Sequence, residues 1–166
     1  MIARQAARRL FYAALAYLAI LGAAAAAAPL VAPHRPTDQH LSERLKPPSR
    51  VYPLGTDNLG RDLLSRTLYG SRSALLVGIV SVAIAAVLGS LVGLIAAHSS
   101  RAVENLLMLL MDSLLSFPTV LLAITVVSFL GYGLVQVMIA IGVIYSPTFA
   151  RLVRAETLAL KTECYV

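Results

Sequence analysis

Charge is scarce in this sequence: 13% of its 166 residues are charged, and only eight are Asp or Glu. A typical soluble domain carries about 25%. Half that amount is too little to cover a compact soluble surface of this size. Tryptophan is absent, and the single cysteine, Cys164, excludes an internal disulfide and any multi-cysteine metal site. His34, His40 and His98 are scattered without ligand spacing, so no metal centre is expected. No glycine-rich phosphate loop, GxSxG elbow, HExxH pair or acid pair beside a nucleophile occurs. No catalytic or cofactor-binding residue is therefore assigned. Soluble enzymes, disordered chains and disulfide scaffolds are excluded.

What the sequence has instead is apolar length. Hydrophobic residues make up 58%, and uncharged stretches cover residues 10–34, 73–100 and 113–150. A span of the hydrocarbon core needs about 20 mainly apolar residues, roughly 30 Å at 1.5 Å per residue. The reading is an integral membrane protein. Fourteen Lys and Arg against eight acids give a net charge of +6. On a soluble chain that balance would suggest nucleic acid. Here the arginines sit at the ends of apolar runs, beside lipid headgroups, so membrane anchoring explains them and no nucleic acid is expected.

Read along the chain, residues 1–9 form a basic terminus and 10–32 a first transmembrane helix, ended by Pro29 and Pro33. Its apolar run exceeds the 7–15 residues of an ordinary signal core, so it reads as retained rather than cleaved. Residues 33–72 form the main polar loop, with five prolines in its first half. Thr56 or Asp57 offers an N-cap. From Asn58, Leu59, Leu63, Leu64 and Leu68 recur at helical spacing, which predicts a short amphipathic helix, lying in the interface or serving as a solvated connector, with Asp62 and Arg66 as an i,i+4 pair. A second transmembrane helix covers 73–97, its Gly78, Gly89, Ser90 and Gly93 allowing close helix approach.

A turn at 98–104 leads to a third span, 105–130, which contains Asp112 about 10 Å from its start. An intramembrane carboxylate is a functional hypothesis by default. A structural role and a place on a coupling or ion path both remain open. Pro118 predicts a kink there. Residues 131–133 turn the chain into a fourth span, 134–150, with Pro147 near its end. Arg151 and Arg154 mark the water interface, and 151–166 reads as a helix leaving the membrane. The positive-inside rule puts the N-terminus, the 98–104 turn and the tail in the cytoplasm, and the 33–72 loop outside. That loop holds seven Lys and Arg against four acids, contrary to a naive count, but charges in a longer folded loop weigh less. The fold class is an all-α polytopic helix bundle. Residue chemistry alone leaves a transporter or channel subunit and a membrane-anchored scaffold open.

Three motifs go further. The run from Tyr52 to Gly78, including Gly55, Thr56, Asp57, Gly60, Arg61 and Asp62, strongly resembles the segment before the second span in permeases of dipeptide, oligopeptide and nickel ABC importers. Met111–Pro118, with Asp112, Phe117 and Pro118, looks like that family's Asp-plus-Phe-Pro helix. Pro147–Arg154, with Arg151 and Arg154, resembles its fourth-span exit. Tyr52 stands where a His is common, a mild departure. The resemblance implies a type I importer permease with a MetI-like fold in a bacterial or archaeal inner membrane. Its implied partners are a second permease, two cytoplasmic ATPases that consume the ATP, and an extracytoplasmic binding protein. It also implies six spans, of which four are present, and places Glu163, Tyr165 and Val166 at the approach to an EAA loop that docks on the ATPase. The sequence thus reads as an incomplete or truncated permease. The rivals are an ion-coupled carrier or channel using Asp112, and the scaffold.

Overall fold

The computed structural model describes the backbone of residues 2–162 and the side chains of 7–161. Its helices are α1 (Ile2–Val31), α2 (Leu63–His98), α3 (Arg101–Ser116), α4 (Thr119–Leu130) and α5 (Leu134–Thr162), with one 3-10 turn at Leu41–Glu43. Among the described residues the only β-type pairing is an isolated bridge between Thr56 and Asp62. Helices α1, α2 and α5 are long and apolar enough to cross a membrane, and α3 with α4 makes a fourth if the pair is one span. The expected all-α polytopic architecture holds.

Two compact units divide the chain, residues 1–76 and 77–166. In the first, α1 runs past Pro29 to Val31 instead of stopping at the proline. Proline forfeits only the bond to the carbonyl four residues back, and the Ala32 N–H still reaches the Ala28 carbonyl at 3.0 Å. Leu10 and Ile20 stay 72% and 66% exposed. In lipid such an apolar surface carries no hydration cost, and the helix has satisfied its own backbone.

The separate interfacial helix expected from Asn58 does not form. Residues 58–62 are held in a turn, with Gly60 at φ +71°, and the helical pattern from Leu63 onward is simply the start of α2. No proline interrupts Leu63–His98, so nothing separates the amphipathic turns from the apolar ones. The expected N-cap also moves. Asp62, not Thr56 or Asp57, caps α2, its carboxylate accepting the Ser65 N–H at 3.0 Å and the Ser65 hydroxyl at 2.6 Å.

In the second unit, the kink expected at Pro118 is a full break. Helices α3 and α4 are bent by 100°. The proline disfavours helix at the residue before it, and Phe117 is extended at φ −85°, ψ 142°. Pro118 then serves as N-cap, its carbonyl accepting the Leu122 N–H. Gly131 closes α4 at φ +93°, donating its N–H to the Val127 carbonyl. The 98–104 turn is shorter than expected, since α3 already begins at Arg101.

Helix α5 tolerates Pro147 for a local reason. The missing proline N–H would have bonded the Val143 carbonyl, and the Ser146 hydroxyl takes that carbonyl at 2.8 Å instead. Glycines then bring α2 and α5 together. A Cβ on Gly93 would stand 2.5 Å from the Ala150 carbonyl oxygen, and one on Gly142 would stand 2.5 Å from an Ile84 methyl. Gly89 lies against the Ser146 carbonyl in the same way. Of the small residues singled out in the second span, Gly89 and Gly93 are used for this contact, while Gly78 has open space around it.

Candidate functional site

The motif between Gly55 and Asp62 builds a knot in the polar loop, and each residue has an identifiable task. Thr56 is 4% exposed. Its hydroxyl accepts the Lys46 N–H at 2.9 Å and donates to the Glu43 carbonyl. That joins the 3-10 turn to the motif. Gly55, at φ +78°, passes so close to Lys46 that a Cβ would sit 2.6 Å from its carbonyl oxygen.

Asp57 organises the next turn. One carboxylate oxygen accepts the N–H groups of Leu59 at 2.8 Å and Arg61 at 2.9 Å. The other takes the Arg61 Nε at 2.8 Å and an Arg66 Nη. Desolvation pushes this carboxyl up, but the two N–H groups and the Arg61 guanidinium outweigh it and hold it well below the usual carboxylate range. The expected Asp62–Arg66 pair is thus replaced by Asp57–Arg66, because Asp62 is turned back over the first turn of α2 as its cap.

The motif also reaches back to the end of α1. The His34 N–H donates to the Ser65 hydroxyl at 3.1 Å, and the His34 ring stacks on Tyr52 with centroids 5.1 Å apart. His34 lay outside the motifs read from the sequence, and Ser65, inside the Tyr52–Gly78 run, was given no role there. A lone histidine and a lone serine in a polar loop carry no spacing signal.

On α5 three cations grip the neighbouring helices. Arg151 meets Asp112 through Nε at 3.1 Å and Nη2 at 2.6 Å. Both side chains are about half exposed in the isolated chain. Arg154 holds Glu104 through Nε at 2.7 Å and a second Nη2 contact, in a less exposed setting. The Lys161 ammonium donates to the Ala97 carbonyl at 2.6 Å, where a cation complements the C-terminal end of α2. Asp112 is therefore paired. Glu104, in the first turn of α3, was given no role from the sequence. Phe117 and Pro118 form the α3–α4 break, and Pro147 lies inside α5. Glu163, Tyr165 and Val166 lie outside the described residues. Among the described residues no cluster of three His, Cys, Asp or Glu side chains is placed to hold a metal.

Residues 89–166 match the family described as binding-protein-dependent transport system inner membrane component, and residues 3–48 match the N-terminal transmembrane domain of oligopeptide transport permease C. The chain belongs to this family of inner-membrane permeases. A family relative, a di/tripeptide transport system permease protein of Pseudomonas aeruginosa, is 43% identical over 84% of this chain and 48% of its own length. A putative peptide transport system permease protein of Brucella suis is 41% identical over 96% of this chain and 53% of its own. A glutathione transport system permease protein of Pectobacterium atrosepticum is 42% identical over 72% of this chain and 40% of its own. The chain spans about half the length of the curated relatives it matches.

Proposed function

We propose that this chain is part of the permease subunit of an ABC importer for peptides. The observation that carries the reading is the 43% identity to a di/tripeptide permease over 84% of the chain. The structure is compatible with it: apolar helices, a structured polar loop, and a charge-linked α3–α5 pair. In this reading a second permease completes the path, two cytoplasmic ATPases hydrolyse the ATP, and an extracytoplasmic binding protein delivers the peptide. The permease itself carries out no chemistry and holds no cofactor. Its work is alternating access, in which ATPase closure rocks the helices around the path. The N-terminus and the 99–100 turn face the cytoplasm, and the 33–62 loop faces outward. Asp112, engaged by Arg151, acts as a tie between α3 and α5.

The test is uptake by proteoliposomes containing the full gene product with the second permease and the ATPases, with binding protein and labelled dialanine outside. Uptake should need enclosed ATP and the binding protein, and fall to vesicle background without either. Uptake driven by an ion gradient with no ATPase present would contradict the reading.

A further inference from the structure

Two buried polar atoms near the start of α2 have no hydrogen-bond partner: His34 Nδ1 and Asp62 Oδ1. They belong to side chains that face each other. His34 Nδ1 lies 3.7 Å from Asp62 Oδ2, too far for a hydrogen bond, while the Asp62 side chain is fully buried and that of His34 is 31% exposed. Buried polar groups are normally paired, so an unpaired imidazole nitrogen beside a carboxylate with one unused oxygen calls for an explanation. A neutral imidazole with its proton on Nε2 has no donor to offer the carboxylate at Nδ1. A protonated one has a second N–H and a charge.

We propose that His34 is a proton-operated latch, which closes on Asp62 when the imidazole is protonated and fastens the start of the loop to the first turn of α2. The groups that face His34 are few. Asp62, the α2 cap, is the one charged side chain within ion-pair reach among the described residues. Ser65, also on α2, accepts the His34 N–H. Tyr52, from the loop, covers one face of the ring. The neighbouring Asp57 is already occupied by Arg61 and Arg66. Closing the gap needs a shift of under about 1 Å, since a charge-assisted N–H···O bond is about 2.7–2.9 Å long. Histidine is the side chain whose charge normally changes between about pH 5 and 8. A protonated His34 favours the closed loop, so closure is strongest at low pH and is lost as the pH rises.

The readout is amide exchange of the segment 32–37 in the full gene product in lipid nanodiscs, corrected for intrinsic rates. That segment contains the His34 N–H that bonds Ser65. Protection should be about tenfold higher at pH 5.5 than at pH 8, the size of one charge-assisted bond. His34→Gln should remove the pH dependence. Asp62→Asn, which keeps the cap acceptor, should remove it as well. Exchange in α5 serves as the control for global folding. A flat profile in the wild-type protein, or an unchanged slope in His34→Gln, would overturn the latch. If His34→Gln fails to fold, the wild-type profile and Asp62→Asn decide the matter.

Discussion

Gly89→Ala is expected to destabilise the second unit strongly, and Gly78→Ala is expected to leave it unchanged. The two glycines lie on the same helix, and the difference is only what surrounds them. A methyl on Gly89 would overlap the Ser146 carbonyl oxygen and come within 2.6 Å of the Phe149 Cβ and 3.0 Å of the Ala150 nitrogen. Two of those three neighbours are backbone, which cannot rotate out of the way. Helix α5 would have to retreat, and retreat breaks the contacts around Gly93 and Gly142 as well. Overpacking a tight contact costs about 1–3 kcal/mol and occasionally more. Around Gly78 nothing lies within 4 Å, and alanine is the better helix former. Thermal unfolding in detergent should show a lowered midpoint for Gly89→Ala alone. Equal midpoints would mean that α2 and α5 are not in this contact.

Gly60→Ala should open the loop. Gly60 has φ +71°, a left-handed conformation that costs an L-residue about 1–2 kcal/mol. The added Cβ would also collide with the His40 carbonyl and lie 2.6 Å from its carbon. The turn around Asp57 runs through this residue, since the Gly60 N–H donates to the Asp57 carbonyl at 3.1 Å. One or two kcal/mol changes a folded-to-unfolded ratio about 5–30-fold. Trypsin cleavage at Arg44 and Arg50 should accelerate by about that factor. Gly22→Ala, in open space on α1, is the matched control. Unchanged cleavage in Gly60→Ala would mean that the knot is not what orders the loop.

The apolar spans were legible because lipid imposes one simple demand: about 20 residues without charge. The break at Pro118 was legible in place but not in size, since sequence shows the lost hydrogen bond and not the 100° bend. The helix pattern at Leu63, Leu64 and Leu68 was real, but it joined the span that followed. A periodicity carries no mark of where a straight helix crosses from interface to membrane. The Asp62–Arg66 spacing suited a surface pair, yet capping used the aspartate first. Pairs such as Asp112–Arg151 and Glu104–Arg154 join residues 39 and 50 positions apart, and no local rule reads such separations. The motif residues Gly55, Thr56, Asp57 and Gly60 were recognised by resemblance, and only the structure shows that they tie one loop together.

The most direct test of the account concerns the membrane arrangement on which the other claims rest. Cys164 is replaced by serine, and single cysteines are placed at Ser42 in the loop and at Ser100 between α2 and α3 in the full gene product. Both positions are exposed. An impermeant maleimide applied to intact spheroplasts should label the Ser42 position at once, and the Ser100 position only after permeabilisation. Labelling of the Ser100 position in intact spheroplasts, with the Ser42 position protected until lysis, would contradict the account.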